Sequence, residues 1–345
     1  MPERLVDRRP TVSPERLIAQ LTPPPTFADV SFQTYRPDPA EPTQSAAVQA
    51  CVTFCDEAVR RRAGRKKMFG RREPRPGVGL YLDGGFGVGK THLLASAYRA
   101  LPESAGHPRA FATFGELTQL AGVFGFVECI ELLADYTVVC IDEFELDDPG
   151  NTTLISRLLS ALVERGVSIA ATSNTLPEQL GEGRFAAQDF LREINTLAAI
   201  FTTVRIEGPD YRHRGLPPAP VPLSDDEVTV RADRTPGSSL DDFDALCAHL
   251  ATMHPSRYLT LIEGVTAVHI TGVHPLDDQS VALRVVSLTD RLYDAGIPVV
   301  ASGAKLDTLF PAEMLEGGYR KKYLRATSRL LALSSAAATP AADAP

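Results

Sequence analysis

From Val78 onward, short apolar runs alternate with stretches in which apolar residues recur every three or four positions. The runs are VGLYLDG (78–84), PRAFATF (108–114), YTVVCID (136–142), VSIAATSN (167–174) and FTTVRIEG (201–208). Each has the length and the apolar content of a buried strand. Between them the pattern predicts helices from Lys90 to Ala100, from the end of PRAFATF to Leu133, over 152–166 with Gly166 as the stop, and over 186–199. Strands alternating with helices predict an α/β fold, a parallel sheet with helices on both faces.

The flanks read differently. Upstream, residues 1–77 form a Pro-rich N-terminal segment with a short helix that has Ser13 as its N-cap and Pro14 at its first position. A longer helix is expected over 41–63, on the spacing of Ala47, Cys51, Phe54, Ala58 and Val59. Downstream of the core (78–215), the stretch GLPPAPVPLSDDE carries four prolines and three acids, and residues 216–237 read as a linker. A C-terminal α/β domain is expected over 238–333. It starts with a helix capped by Ser239, then has strands at VTAVHITGV and IPVVASG around the helix QSVALRVVSLTDRLYDAG, and closes with YRKKYLRATSRLLAL. The low-complexity end, 334–345, is expected to be disordered.

The first strand leads into the segment that carries chemistry. Gly84, Gly85, Phe86, Gly87, Val88, Gly89, Lys90 and Thr91 match G-x-x-x-x-G-K-[ST] in full. Such a loop lets backbone N–H groups approach phosphate oxygens, because glycine has no Cβ in the way, and the following helix adds its positive dipole end. Lys90 is expected at the β- and γ-phosphates of ATP, and the Thr91 hydroxyl on Mg²⁺. A glycine-rich turn that merely precedes a lysine is the competing reading; the strand before and the helix after supply the required context. His92, next in the chain, is counted with the nucleotide-binding residues; it is expected to pack or cap there, without a catalytic part.

Asp142 and Glu143 end the third apolar run, 51 residues after Thr91. At the carboxyl edge of a parallel sheet, adjacent carboxylates face the nucleotide crevice. Asp142 is expected to hold Mg²⁺ and Glu143 to deprotonate the attacking water. A solvated acidic turn is the alternative, given Glu145, Asp147 and Asp148 just downstream. Asn174 ends the next run, where its side chain is placed to sense the γ-phosphate or the lytic water. Arg184 is the candidate for an arginine that reaches a neighbouring subunit's nucleotide, with Arg192 second; a surface ion pair is the plain alternative. Phe27, Phe32 and Tyr35 are candidates to wall the adenine, though aromatics also fill cores.

These motifs resemble those of the AAA+ ATPases and, more narrowly, of the ZapE cell-division ATPase family with its mitochondrial AFG1-like relatives. The resemblance rests on GLYLDGGFGVGKTHLL, VVCIDEFELDD, ATSNTLPEQL, DYRHR, RLYDAGIPVVASG and RATSRLLAL. It implies a Mg²⁺-dependent ATPase that is a homo-oligomer when active, a place at the inner face of the bacterial cytoplasmic membrane, and FtsZ as partner. It also implies a sensor arginine at Arg325 or Arg329. The family's His/Phe-rich segment is replaced here by FATFGELTQLAGVFGF, and the arginine after the SNxxP turn sits in an altered frame. The mitochondrial branch adds protein quality control as a further role.

Charge refines the picture. The net charge is −8, yet residues 60–75 hold nine Lys or Arg against one Glu, leaving the rest at about −16. That cluster suits acidic lipid, an acidic protein tail or nucleic acid; Met68 and Phe69 at its centre favour a membrane or protein surface. A solvated hairpin is the bland alternative. A nucleic-acid motor is disfavoured, since no nucleic-acid module is recognisable and the remainder is acidic. A binding module that hydrolyses poorly is disfavoured by the intact Asp142–Glu143 pair. The five scattered cysteines read as buried thiols rather than a disulfide framework, and Cys51 with Cys55 lacks matching metal ligands. The N-terminus has no apolar signal region, Glu3 and Asp7 argue against a transit peptide, and no run of 18 apolar residues occurs, so a cytoplasmic protein is expected.

Overall fold

All five apolar runs of the core become strands: β1 (Gly79–Gly84), β2 (Arg109–Thr113), β3 (Val138–Asp142), β4 (Ser168–Ser173) and β5 (Phe201–Ile206). They form one sheet, ordered β2-β3-β4-β1-β5 and parallel throughout. The computed structural model describes residues 2–11, 13–66, 72–73, 75–101, 107–145, 149–177, 191–209 and 220–338. The three inner strands are buried along their whole length, which is why their sequences are nearly continuous apolar runs. Leu80 and Leu82 of β1 face a core shared with α2 (Pro42–Arg62) and α3 (Lys90–Ala100). Tyr81, between them, faces the opposite side, where its ring meets Phe144 and Phe201. Both sheet faces are thus covered, as in an α/β fold with a parallel sheet.

Two compact units divide the chain. Residues 13–23 and 27–211 make the unit built on this sheet; residues 1–12, 24–26 and 212–345 make the other. The 1–77 stretch is therefore not one segment. In the first unit, Ser13 caps α1 (Pro14–Ala19) as expected, its side chain accepting from the Arg16 amide. The buried side of α2 is Ala47, Cys51, Phe54, Cys55 and Ala58. Burial pushes the Cys55 thiol up to about 12. The helical stretch expected to run to Leu133 is broken at Gly125 (φ 84°) into α4 (Phe114–Phe124) and α5 (Phe126–Ala134), which meet at 116°. Thr113 and Glu116 form a capping box at the start of α4. Next come α6 (Pro149–Glu164) and α7 (Leu191–Ile200). Of the basic stretch, Arg60 and Arg61 pair with Glu57, and Arg65–Lys66 pairs antiparallel with Arg72–Glu73. Residues 67–71 and 74 lie outside the described residues.

The second unit has a three-stranded parallel sheet of β6 (Ser239–Asp242), β7 (Val268–Val273) and β8 (Val299–Gly303), ordered β8-β7-β6. Its helices are α8 (Asp225–Arg234), α9 (Phe243–Ala251), α10 (Tyr258–Leu261), α11 (Gln279–Ala295), α12 (Ala312–Glu316) and α13 (Arg320–Ala338). Three expectations are corrected here. The linker 216–237 contains α8: the acids read as solvated linker are its first turn, where they suit the helix dipole, and Ser224 with Glu227 makes a capping box. Val228 and Ala232 bury its inner side. Ser239 is not a helix cap but a fully buried strand residue; the cap of α9 is Asp242, which accepts from the Ala245 amide at 3.0 Å. The inward positions of β6 are Ser239 and Asp241, so no apolar alternation marks it. The Asp241 carboxylate instead accepts the amides of Leu5 and Val6, while Glu3 bridges to Ser239. The end of the chain is also ordered further than expected: α13 continues past Leu333, with Ser334 buried.

Candidate active site

The carboxyl ends of β3, β4 and β1, neighbours in the sheet, bring the candidate residues together. The loop after β1 turns tightly, with Gly87 and Gly89 at positive φ (66° and 87°). A Cβ on Gly89 would lie 2.5 Å from Tyr35 Cε2, so both backbone and space require glycine there. Lys90 opens α3, and its ammonium donates to the carbonyls of Gly84 (2.9 Å) and Gly85 (2.6 Å) and to Asn174 Oδ1 (2.8 Å). The sequence candidates Lys90 and Asn174, 84 residues apart, are therefore in direct contact.

Thr91 donates its hydroxyl to Asp142 Oδ1 at 3.2 Å. Asp142 itself is 7% exposed, at the end of β3. Its Oδ1 also accepts from the hydroxyl of Thr172 on β4, a residue that sequence reasoning passed over. Glu143 follows in a left-handed conformation (φ 53°), alone among the described non-glycine residues. Such a backbone costs about 1–3 kcal/mol and persists where its surroundings over-determine it. Here the Glu143 amide donates to Thr172 Oγ1 (3.1 Å), and the Phe144 amide donates to the Thr172 carbonyl (2.7 Å). Phe144 is wholly buried against Phe114, Tyr81 and Phe201. The chain thus leaves the strand by a fixed path that turns Glu143 away from it.

The donor set fits a nucleotide with Mg²⁺. A hydroxyl and a carboxylate oxygen 3.2 Å apart are the hard oxygen donors that Mg²⁺ takes, usually beside substrate phosphates. A loop whose Gly89 excludes a side chain, followed by an eleven-residue helix, is a phosphate cradle. Phe27, Phe32 and Tyr35 pack on the core of this unit, and Tyr35 donates its hydroxyl to the Val88 carbonyl at 2.8 Å. His92 packs, as expected: its Nε2 lies 3.0 Å from Thr34 Oγ1 and 3.2 Å from the Ser31 carbonyl, and its ring meets Tyr35 edge-on. The ring is thus engaged with residues 31–35, which fasten the P-loop from outside.

Other candidates lie elsewhere. Arg184 is outside the described residues; Arg192 is exposed on α7. In the second unit, Arg325 and Arg329, one turn apart on α13, both donate to Asp290 of α11, Arg325 at 2.7 Å. Both arginines are 6% exposed, and Arg329 also stacks its guanidinium over Tyr293. Burial alone would raise the Asp290 carboxyl, but the two guanidiniums override it and hold it at about 2. The arginines offered as sensors are therefore engaged in a buried ion cluster of their own unit.

The profile of the AFG1-like ATPase family matches residues 11–233 and 221–339, nearly the whole chain. Cell division protein ZapE of Escherichia coli (strain K12) is 34% identical over 181 residues, 49% of this chain and 48% of that protein. Lactation elevated protein 1 homolog B of Danio rerio is 26% identical over 168 residues, 43% of this chain and 33% of that protein. The matched region thus spans about half, or less, of these relatives' own length. Among solved structures, the crystal structure of DnaI overlaps with a TM-score of 0.42 at 19% identity, covering 56% of this chain and 98% of that one. The fold assignment rests on the strand order and register described above.

Proposed function

Because the chain belongs to the AFG1-like ATPase family, we propose that it hydrolyses Mg·ATP at the β–γ phosphoanhydride and spends the energy on a protein partner. The observation that carries this is the meeting of Lys90, Asn174, Thr91 and Asp142 at the carboxyl ends of three adjacent strands. Loop amides from Gly85 to Thr91 cradle the phosphates. The Lys90 ammonium exchanges its contacts with the Gly84 and Gly85 carbonyls for phosphate oxygens of higher negative charge. Thr91 and Asp142 hold Mg²⁺, which when bound neutralises phosphate charge. Asn174, already on Lys90, is placed to read the terminal phosphate. Glu143 accepts a proton from the attacking water as the bridging oxygen departs with ADP. An arginine supplied by a neighbouring copy, Arg184 or Arg192, stabilises the transferred charge, which makes the active form a homo-oligomer.

The name of the Escherichia coli relative supports a role in cell division, and FtsZ in the division ring is the partner this reading selects. The basic stretch 60–75 supports a peripheral place at the inner face of the cytoplasmic membrane. The test is a pair of variants. Lys90→Ala is expected to lose ATP binding. Glu143→Gln is expected to keep it and to hydrolyse about 10²–10⁴-fold more slowly, the usual cost of removing a positioned base. Wild-type turnover in Glu143→Gln refutes the assignment. Capture of FtsZ by Glu143→Gln with ATP bound, and not by Lys90→Ala, is the expected partner result.

A further inference from the structure

Thr172 lies in the run ATSNTLPEQL but is given no role there, yet its hydroxyl sits between the two acids of the site. It is 2% exposed, in the middle of the sheet, on the strand next to the one that ends in Asp142. A hydroxyl has one proton to donate and two lone pairs. The proton goes to Asp142 Oδ1, and a lone pair accepts the Glu143 amide at 3.1 Å. One side-chain oxygen therefore binds the carboxylate of one acid and the backbone of the next. That backbone is the single left-handed non-glycine position among the described residues. The main chain of the same residue adds a third tie, the Phe144 amide to its carbonyl at 2.7 Å.

We propose that the Thr172 hydroxyl is a positioning residue for ATP hydrolysis, bridging Asp142 and Glu143 so that the cation-holding carboxylate and the base keep a fixed mutual geometry. This rests on the reading of the site given above. The bridge also has a mechanical consequence. Asn174 lies two residues beyond Thr172 and holds Lys90. A movement of the end of β4 when the terminal phosphate appears or leaves is carried by Thr172 into both acids at once. Valine has nearly the same shape and lacks the hydroxyl, so it removes the bridge with little change in volume. Serine keeps the hydroxyl and loses only a methyl.

The experiment compares wild type, Thr172→Val and Thr172→Ser by steady-state turnover and by equilibrium binding of a fluorescent ATP analogue titrated with Mg²⁺. Loss of an orienting partner behind a ligand commonly costs 10–100-fold in activity or metal affinity. Thr172→Val is therefore expected to lower kcat about 10–100-fold and to raise about tenfold the Mg²⁺ concentration at which analogue binding tightens. Its affinity for the analogue without Mg²⁺ is expected to stay within about threefold, because Lys90 and the loop are untouched. Thr172→Ser is expected to restore both readouts. Wild-type behaviour of Thr172→Val in either readout, or failure of serine to rescue, overturns the bridge. If the valine variant does not fold, serine is compared with Thr172→Ala: equal behaviour of those two overturns it, and loss in alanine alone supports it. A wild-type protein that neither binds the analogue nor hydrolyses ATP refutes the reading of the site itself, a result distinct from failure of the bridge.

Discussion

Asp290 offers a measurement that separates a structural from a catalytic role for the arginines of α13. Its carboxylate, 15% exposed, accepts from Arg325 and Arg329, which are buried more deeply still. The group titrates at about 2 in the folded protein against an ordinary 3.8. At about 1.4 kcal/mol per tenfold change, that difference amounts to about 2–3 kcal/mol of stability. The folded value is the lower one, so this contribution is fully present above about pH 4. It is lost as the pH falls toward 2, about half of it by pH 3. Asparagine mimics the protonated acid, so Asp290→Asn should cost about 2–3 kcal/mol at pH 7. Asp290→Ala also removes the acceptors and strands two buried cations, for about 3–5 kcal/mol. In calorimetry the melting of this unit should fall by roughly 6–12 °C for the asparagine variant. The gap to wild type should shrink by about half at pH 3. Replacing all three residues with Leu or Met of similar volume should recover most of the loss, because no charge is then left unpaired. An asparagine variant as stable as wild type at pH 7, or a gap that does not depend on pH, refutes the account. So does an Arg325→Ala variant that melts normally but no longer hydrolyses ATP, which would return that arginine to the nucleotide.

Two further outcomes follow from the geometry. Gly89→Ala should weaken nucleotide binding far more than Gly85→Ala. At Gly89 a Cβ meets Tyr35 at 2.5 Å in a left-handed backbone, whereas at Gly85 it meets nothing within 4 Å; equal affinities measured with a fluorescent nucleotide would show that the loop is looser than described. Replacing Arg65, Lys66, Lys67, Arg71 and Arg72 with Gln should abolish salt-sensitive sedimentation with anionic liposomes, at about 1 kcal/mol per cation near the surface. Association that is unchanged, or insensitive to salt in the wild type, discards a membrane role for the stretch while leaving the ATPase reading in place.

What the sequence determined by itself was local. The three inner strands of the first unit are buried on both faces, so their continuous apolar runs announce them without knowledge of any neighbour. The phosphate loop is legible because its needs are those of its own backbone: small residues, a turn, a helix start with a lysine. Asp142 and Glu143 were legible because a parallel strand that ends in acids places them at one edge of the sheet. Strand β6 was not legible, because its inward residues are Ser239 and Asp241. Burying Asp241 is tolerable because Leu5 and Val6, more than two hundred residues away in the chain, bring amides to its carboxylate. The helix α8 was hidden in acids and prolines that also describe a linker; only the burial of Val228 and Ala232 distinguishes the two. Thr172 and Asp290 look like ordinary polar residues in a strand and a helix. Their partners come from another strand and another helix, and a hydrogen bond between distant segments leaves no periodicity in either. Tertiary structure alone therefore decided which polar groups are buried together, since the cost of burying each is set by the partner that the fold brings to it.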